Sequence, residues 1–177
     1  MMAPSEHRQH LWLVVGLILV GIVSRLVPHP WNATPLTAIA LFGGTYLPKR
    51  WVILLPLAII AMSDLWLGWH STIPFTWGAF AATGWLAWWV RVRPSATRIL
   101  AGSLLGSVIF FVVTNFGVWA TQTLYPKTLT GLWQCYVAGI PFFRNMLVGD
   151  LIYTAALFGM FAAITTFGAV PVGVRSK

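Results

Sequence analysis

The chain has 177 residues, of which 58% are hydrophobic and only 8% charged, with a mean hydropathy of +0.80. A water-soluble domain carries about 25% charged residues, so the polar surface is too small to coat one, and the composition is that of an integral membrane protein. The net charge of +8 is no nucleic-acid signal, because the basic residues sit in short connections between apolar runs, as topology determinants do. The single cysteine, Cys135, excludes an internal disulfide and a cysteine metal cluster.

Six apolar segments follow one another in a single transmembrane domain spanning 1–177, after a short N-terminal tail at 1–10. The first covers residues 11–27 and is closed by Pro28-His29-Pro30. Ser24-Arg25-Leu26 stands where a signal-peptide cleavage site would lie, so this segment reads as a retained first helix. The second, 34–47, is short and contains glycine. Since a straight span needs about 20 residues, it either crosses with help from its neighbours or is a broken, partly re-entrant element. The third covers 51–69 and the fourth 73–90, closed by Arg91-Val92-Arg93-Pro94. The fifth covers 97–120. Residues 121–143 are less hydrophobic and hold Pro126, Gly131, Gly139 and Pro141, which predicts a structured external loop with a short interfacial helix near 129–138. The sixth segment, 145–167, precedes a basic tail at 168–177. These runs are continuously apolar, whereas a membrane barrel alternates over about ten residues. The predicted fold is therefore all-α, with six transmembrane helices.

With six spans, eight basic residues collect on one side (Arg8, Lys49, Arg50, Arg91, Arg93, Arg98, Arg175 and Lys177) and three on the other (Arg25, Lys127 and Arg144). The positive-inside rule then places both termini in the cytoplasm. The chain has only three acids, and two of them, Asp64 and Asp150, lie inside apolar runs. A carboxylate at membrane depth costs roughly 2.5–3.5 kcal/mol even on the insertion scale.

The predicted topology brings these acids to the outer half, together with Arg25, His29, Asn32, Trp69, His70, Trp77, Asn115, Arg144 and Asn145. The simplest pairings are Asp64 with Arg25 and Asp150 with Arg144. Aromatics with a few polar groups are the usual lining of a small-molecule pocket, and the expectation is a ligand site open to the outside. The competing reading is a structural membrane subunit, in which each acid only braces helices. No G-x-S-x-G, H-E-x-x-H or P-loop appears, so no enzymatic activity is expected. His29 and His70 lack the spacing of a metal site, and no metal or prosthetic group is expected.

Several strings carry a family resemblance: Ser24-Arg25-Leu26-Val27-Pro28-His29-Pro30-Trp31-Asn32, Ser63-Asp64-Leu65 with Gly68-Trp69-His70, Thr114-Asn115-Phe116-Gly117, Leu124-Tyr125-Pro126-Lys127, and Phe143-Arg144-Asn145 with Gly149-Asp150-Leu151. On these the chain resembles the S-components of energy-coupling-factor vitamin transporters, close to the solitary proteins linked to cobalamin uptake, over nearly its whole length. The resemblance implies an S-component-like bundle in the bacterial inner membrane and a vitamin pocket near its outer face, which adds Tyr125 to the candidate site. It also implies cobalamin or a related corrinoid as the transported ligand and an energy-coupling-factor module as a partner beside the lipid bilayer. Cobalamin-linked members can carry a cysteine where this chain has Ala79, so thiolate ligation of cobalt from the fourth segment is not available here. The Ala-x-x-x-Ala docking pattern of S-components is also missing from the first segment, whose small residues are Gly16, Gly21 and Ser24.

Overall fold

A computed structural model describes residues 4–28 and 32–167, with side chains over 10–28 and 32–166. These residues form six helices: α1 (Pro4–Leu26), α2 (Leu36–Tyr46), α3 (Trp51–Leu67), α4 (Ile73–Val92), α5 (Ala96–Thr121) and α6 (Leu129–Phe167). Local chemistry sets most of their ends. Pro28, Pro48 and Pro94 cannot continue a helix, and α1, α2 and α4 stop just before them. α3 ends on Gly68 at φ +90°, a left-handed conformation that glycine adopts without penalty. α4 opens with Pro74 in its first turn, where no backbone N–H is needed. Ser95 caps α5 by accepting from the Arg98 amide at 3.3 Å.

The helices are arranged around α2. α1 packs on α3, α3 on α4, α4 on α5 and α5 on α6, while α2 touches all five. Among the described residues α1 and α6 do not meet, so the ring about α2 is open between them. Every residue of α2 from Leu36 to Thr45 is buried. A helix apolar all round belongs inside a bundle, and small residues let its neighbours close in. A Cβ on Gly44 would lie 2.3 Å from the Cβ of Ala87 on α4, and one on Gly84 would lie 2.6 Å from the Val52 carbonyl oxygen on α3. The last carbonyls of α2 have no partner within the helix. The Arg91 guanidinium supplies one, donating to Leu47 O at 2.5 Å and Gly44 O at 3.3 Å. The 34–47 segment is thus a regular helix supported on all sides.

Two helices, α5 and α6, are long and apolar enough to cross a membrane by length and composition. Much of the exterior is apolar too: Trp12 and Trp85 are each 68% exposed, Leu65 71% and Trp66 81%.

The largest departure from the sequence-based expectation is at 121–143. The link between α5 and α6 is short, and helix begins at Leu129 and runs without interruption through Pro141 to Phe167. Thr128 starts it, with its hydroxyl accepting from the Gly131 amide at 3.1 Å. The 39 residues of α6 make about 58 Å of helix at ~1.5 Å per residue. Its first third folds back along α5. Cys135 Sγ donates to Asn115 O at 3.3 Å, Tyr136 Oη donates to Val112 O at 2.8 Å, and the Phe111 and Phe143 rings lie 4.7 Å apart. Gly139 permits this contact, since a Cβ there would sit 2.5 Å from Asn115 Oδ1. A proline inside a helix removes one backbone hydrogen bond, and packing against α5 offsets that loss.

Candidate functional site

The C-terminal ends of α1 and α3 and the N-terminal ends of α2 and α4 lie at the same end of the bundle, and a polar frame joins three of them. Arg25 Nη2 on α1 lies 2.9 Å from Asp64 Oδ1 on α3, in a pair whose side chains are 15% and 4% exposed. Arg25 Nη1 donates to Ser63 Oγ at 2.6 Å and to Ile60 O at 3.4 Å. From α4, Trp77 Nε1 donates to Asp64 Oδ2 at 3.1 Å. The expected pairing of Asp64 with Arg25 is present and leaves Asp64 with a partner on each oxygen. Gly21 allows α1 and α3 to come this close, because a Cβ there would lie 2.7 Å from two atoms of the Ile59 side chain.

Beside this frame is a cavity of about 210 Å³. Arg25, Asn32 and, from α6, Asp150 border it. The rest of the lining includes Thr34, Thr37 and Thr76 and the apolar side chains of Leu36, Leu67, Phe80, Phe110 and Met146. The Phe80 and Phe110 rings are 5.0 Å apart. Asn32 has φ 62°, a left-handed conformation that asparagine tolerates better than most residues. The segment it opens is pressed against α6 at Gly149, where a Cβ would lie 3.1 Å from the Ala33 Cα. Asn32 and Thr34, on either side of Ala33 in the segment leading into α2, both line the cavity.

Asp150 is only 1% exposed. Its Oδ2 accepts from Ser107 Oγ at 2.6 Å, and Thr37 faces the same carboxylate. Its Oδ1 is buried with no hydrogen-bond partner among the described residues. The polar contacts continue deeper, with Thr154 Oγ1 donating to Ser103 Oγ at 3.1 Å. The expected pairing of Asp150 with Arg144 does not occur: Asp150 is buried against Ser107 of α5 and Arg144 is exposed. Six positions along a helix turn about 600°, which sets the two residues on different faces.

The predicted site residues therefore divide. Arg25, Asn32 and Asp150 border the cavity, and Asp64 and Trp77 hold its edge through Arg25. The others lie away from the cavity lining. Trp69 is 78% exposed, and His70 Nδ1 is 2.7 Å from Thr72 Oγ1, both in the link between α3 and α4. Ala79 is fully buried in helix packing. The Asn115 amide donates to Phe111 O on its own helix at 2.8 Å. Tyr125 belongs to the link between α5 and α6, and Asn145 is half-buried on α6. His29 lies outside the described residues. The threonines of the cavity wall escaped the sequence reading. The available signal was their position, since Thr37 and Thr76 fall in the first turn of a helix at the end that holds Arg25. No group of three or more His, Cys, Asp or Glu that could hold a metal is found among the described residues.

A family model described as a family of unknown function, DUF6580, matches residues 5–170. No curated protein and no solved structure matches the chain.

Proposed function

The chain belongs to DUF6580, a family of unknown function, and we propose that it is a multi-pass protein of the bacterial inner membrane that binds a vitamin-like small molecule and moves it inward. All six helices cross the bilayer in this reading, both termini are cytoplasmic, and the cavity faces outward. The observation that carries the reading is the cavity of about 210 Å³ lined by a buried aspartate, an arginine, threonines and two phenylalanines. Convergent polar groups in a mostly apolar pocket are what ligand sites look like. The apolar exterior and the family strings quoted above support the membrane and transport parts of the reading.

The size of the cavity bears on the ligand. Pockets for drug-sized molecules run to about 300–1,000 Å³, so a compact vitamin or precursor fits this cavity as it stands. A corrinoid is far larger and is accommodated only if the helices around the cavity move apart. An energy-coupling-factor module is the proposed partner for the energised step.

The test is direct binding. The purified protein in lipid nanodiscs is titrated with a panel of vitamins that includes cyanocobalamin, with calorimetry as the readout. Saturable binding of one member at micromolar or tighter affinity supports the reading. Absence of binding across the whole panel refutes it, and leaves the chain as a structural subunit in which Arg25 and Asp64 fasten helices.

A further inference from the structure

Three formal charges stand at the cavity among the described residues. Arg25 and Asp64 cancel in their ion pair. Asp150 has no cationic partner, since the basic residue nearest to it on α6, Arg144, is exposed and does not line the cavity. Its Oδ2 accepts a short bond from Ser107 and Thr37 faces the carboxylate, while Oδ1 is buried without a hydrogen-bond partner among the described residues and Asp150 forms part of the cavity lining. Burying a carboxylate without a partner is expensive, and a charged donor removes that penalty. The protein presents a fixed, pre-oriented acceptor and lacks the donor that would complete it.

The rest of the wall says what kind of donor fits. A bare metal or alkali ion takes a shell of oxygen ligands, and this cavity is too roomy and too apolar for that. It is bordered by Leu36, Leu67, Met146 and the Phe80–Phe110 ring pair. Aromatic faces attract an organic cation and accept a flat ring. The threonine hydroxyls serve as further hydrogen-bond partners for polar ring substituents.

Resting on the transport reading above, we propose that the transported ligand is a small organic cation, a vitamin or precursor whose amine or protonated ring nitrogen donates to Asp150 while its ring packs against the Phe80–Phe110 pair. Asp150 is thus the residue that selects by charge. Asp64 has no contact with the ligand and acts only through Arg25.

The test uses a charge series on the full-length protein in nanodiscs, with pyridoxamine and thiamine as cations, pyridoxine, riboflavin and cyanocobalamin as neutral probes, and 4-pyridoxate and biotin as anions. Pyridoxamine and pyridoxine differ little in size, so their ratio isolates the charge. The expected result is that a cation binds at least about 30-fold more tightly than any neutral or anionic probe. Asp150→Asn keeps an acceptor toward Ser107, and is expected to remove that preference, so that pyridoxamine binds no more tightly than pyridoxine to the same variant. Comparison within the series on the unaltered chain needs no variant to fold. If a neutral or anionic probe binds as tightly as the cations, or Asp150→Asn binds cations as well as the parent chain, the charge assignment is wrong and the transport reading survives. If no probe binds, both fall.

Discussion

Removing Arg25 tests whether the frame at the edge of the cavity holds the bundle together. Arg25→Met keeps most of the side-chain volume and deletes the charge. Asp64, 4% exposed on its side chain, then loses the guanidinium 2.9 Å from Oδ1 and retains the Trp77 indole on Oδ2. Breaking a buried pair from one side costs about 3–5 kcal/mol. The surviving indole bond puts the expected loss at the lower end, about 3 kcal/mol. For a chain of 177 residues each kcal/mol lowers Tm by about 2–4 °C, so the shift is about 6–12 °C. Asp64→Leu is milder, roughly half as large, because Arg25 keeps Ser63 Oγ and Ile60 O and stays in partial contact with solvent. The double variant Arg25→Met with Asp64→Leu recovers most of the loss, since it leaves no charge stranded. The assay is thermal unfolding of detergent-solubilised protein followed by near-ultraviolet circular dichroism. Two results refute the reasoning: a double variant as unstable as the sum of the singles, or an Arg25→Met variant within about 0.5 kcal/mol of the parent, as for an ordinary surface change.

Three further outcomes follow from contacts elsewhere. Gly84→Ala drives a methyl group into the Val52 carbonyl oxygen. Backbone cannot turn aside as a side chain can, so the variant loses about 1–3 kcal/mol, measurable as a lower Tm. Gly149→Ala pushes on Ala33, the residue between the cavity-lining Asn32 and Thr34; the bundle stays within about 1 kcal/mol of the parent, and the ligand dissociates faster in a stopped-flow experiment. Cys135 is 2% exposed and packed on α5, so maleimide labels it slowly in the folded protein and rapidly in denaturant. Rapid labelling of the native chain would mean that 129–138 is not held against α5.

Four of the six apolar runs were legible because a helix breaker follows each: proline after α1, α2 and α4, and glycine at positive φ after α3. The helix expected near 129–138 is present, but its continuity with the sixth segment was hidden because Gly139 and Pro141 are local breaker signals that tertiary contact overrides. Gly131 and Gly139 read as loop residues, yet each marks a close approach: a Cβ on Gly131 would meet the Pro126 backbone, and one on Gly139 would meet Asn115. Thr128 was the available clue, a capping residue three positions before Gly131. Charge and depth alone sufficed for Arg25 and Asp64, which lie on sequentially distant helices and had few other choices. They failed for Asp150, because the nearest cation in sequence sits on another face of the same helix. The partner found in the structure, Ser107, is a neutral residue 43 positions away, and hydroxyls inside apolar helices carry no sign of which acid they serve.

The arrangement of six helices as an axle with five staves and one gap has a mechanical consequence. α2 has no outer face, so it cannot swing without disturbing every neighbour at once. α1 is the opposite case: it leans mainly on α3, and its polar contacts with α3 lie at the Arg25 end, against Asp64, Ser63 and Ile60. Elements with few buried contacts open first. Amide hydrogens near the middle of α1 therefore exchange sooner than those of α2, so the axle is the steadiest part of the molecule and the stave beside the gap its loosest.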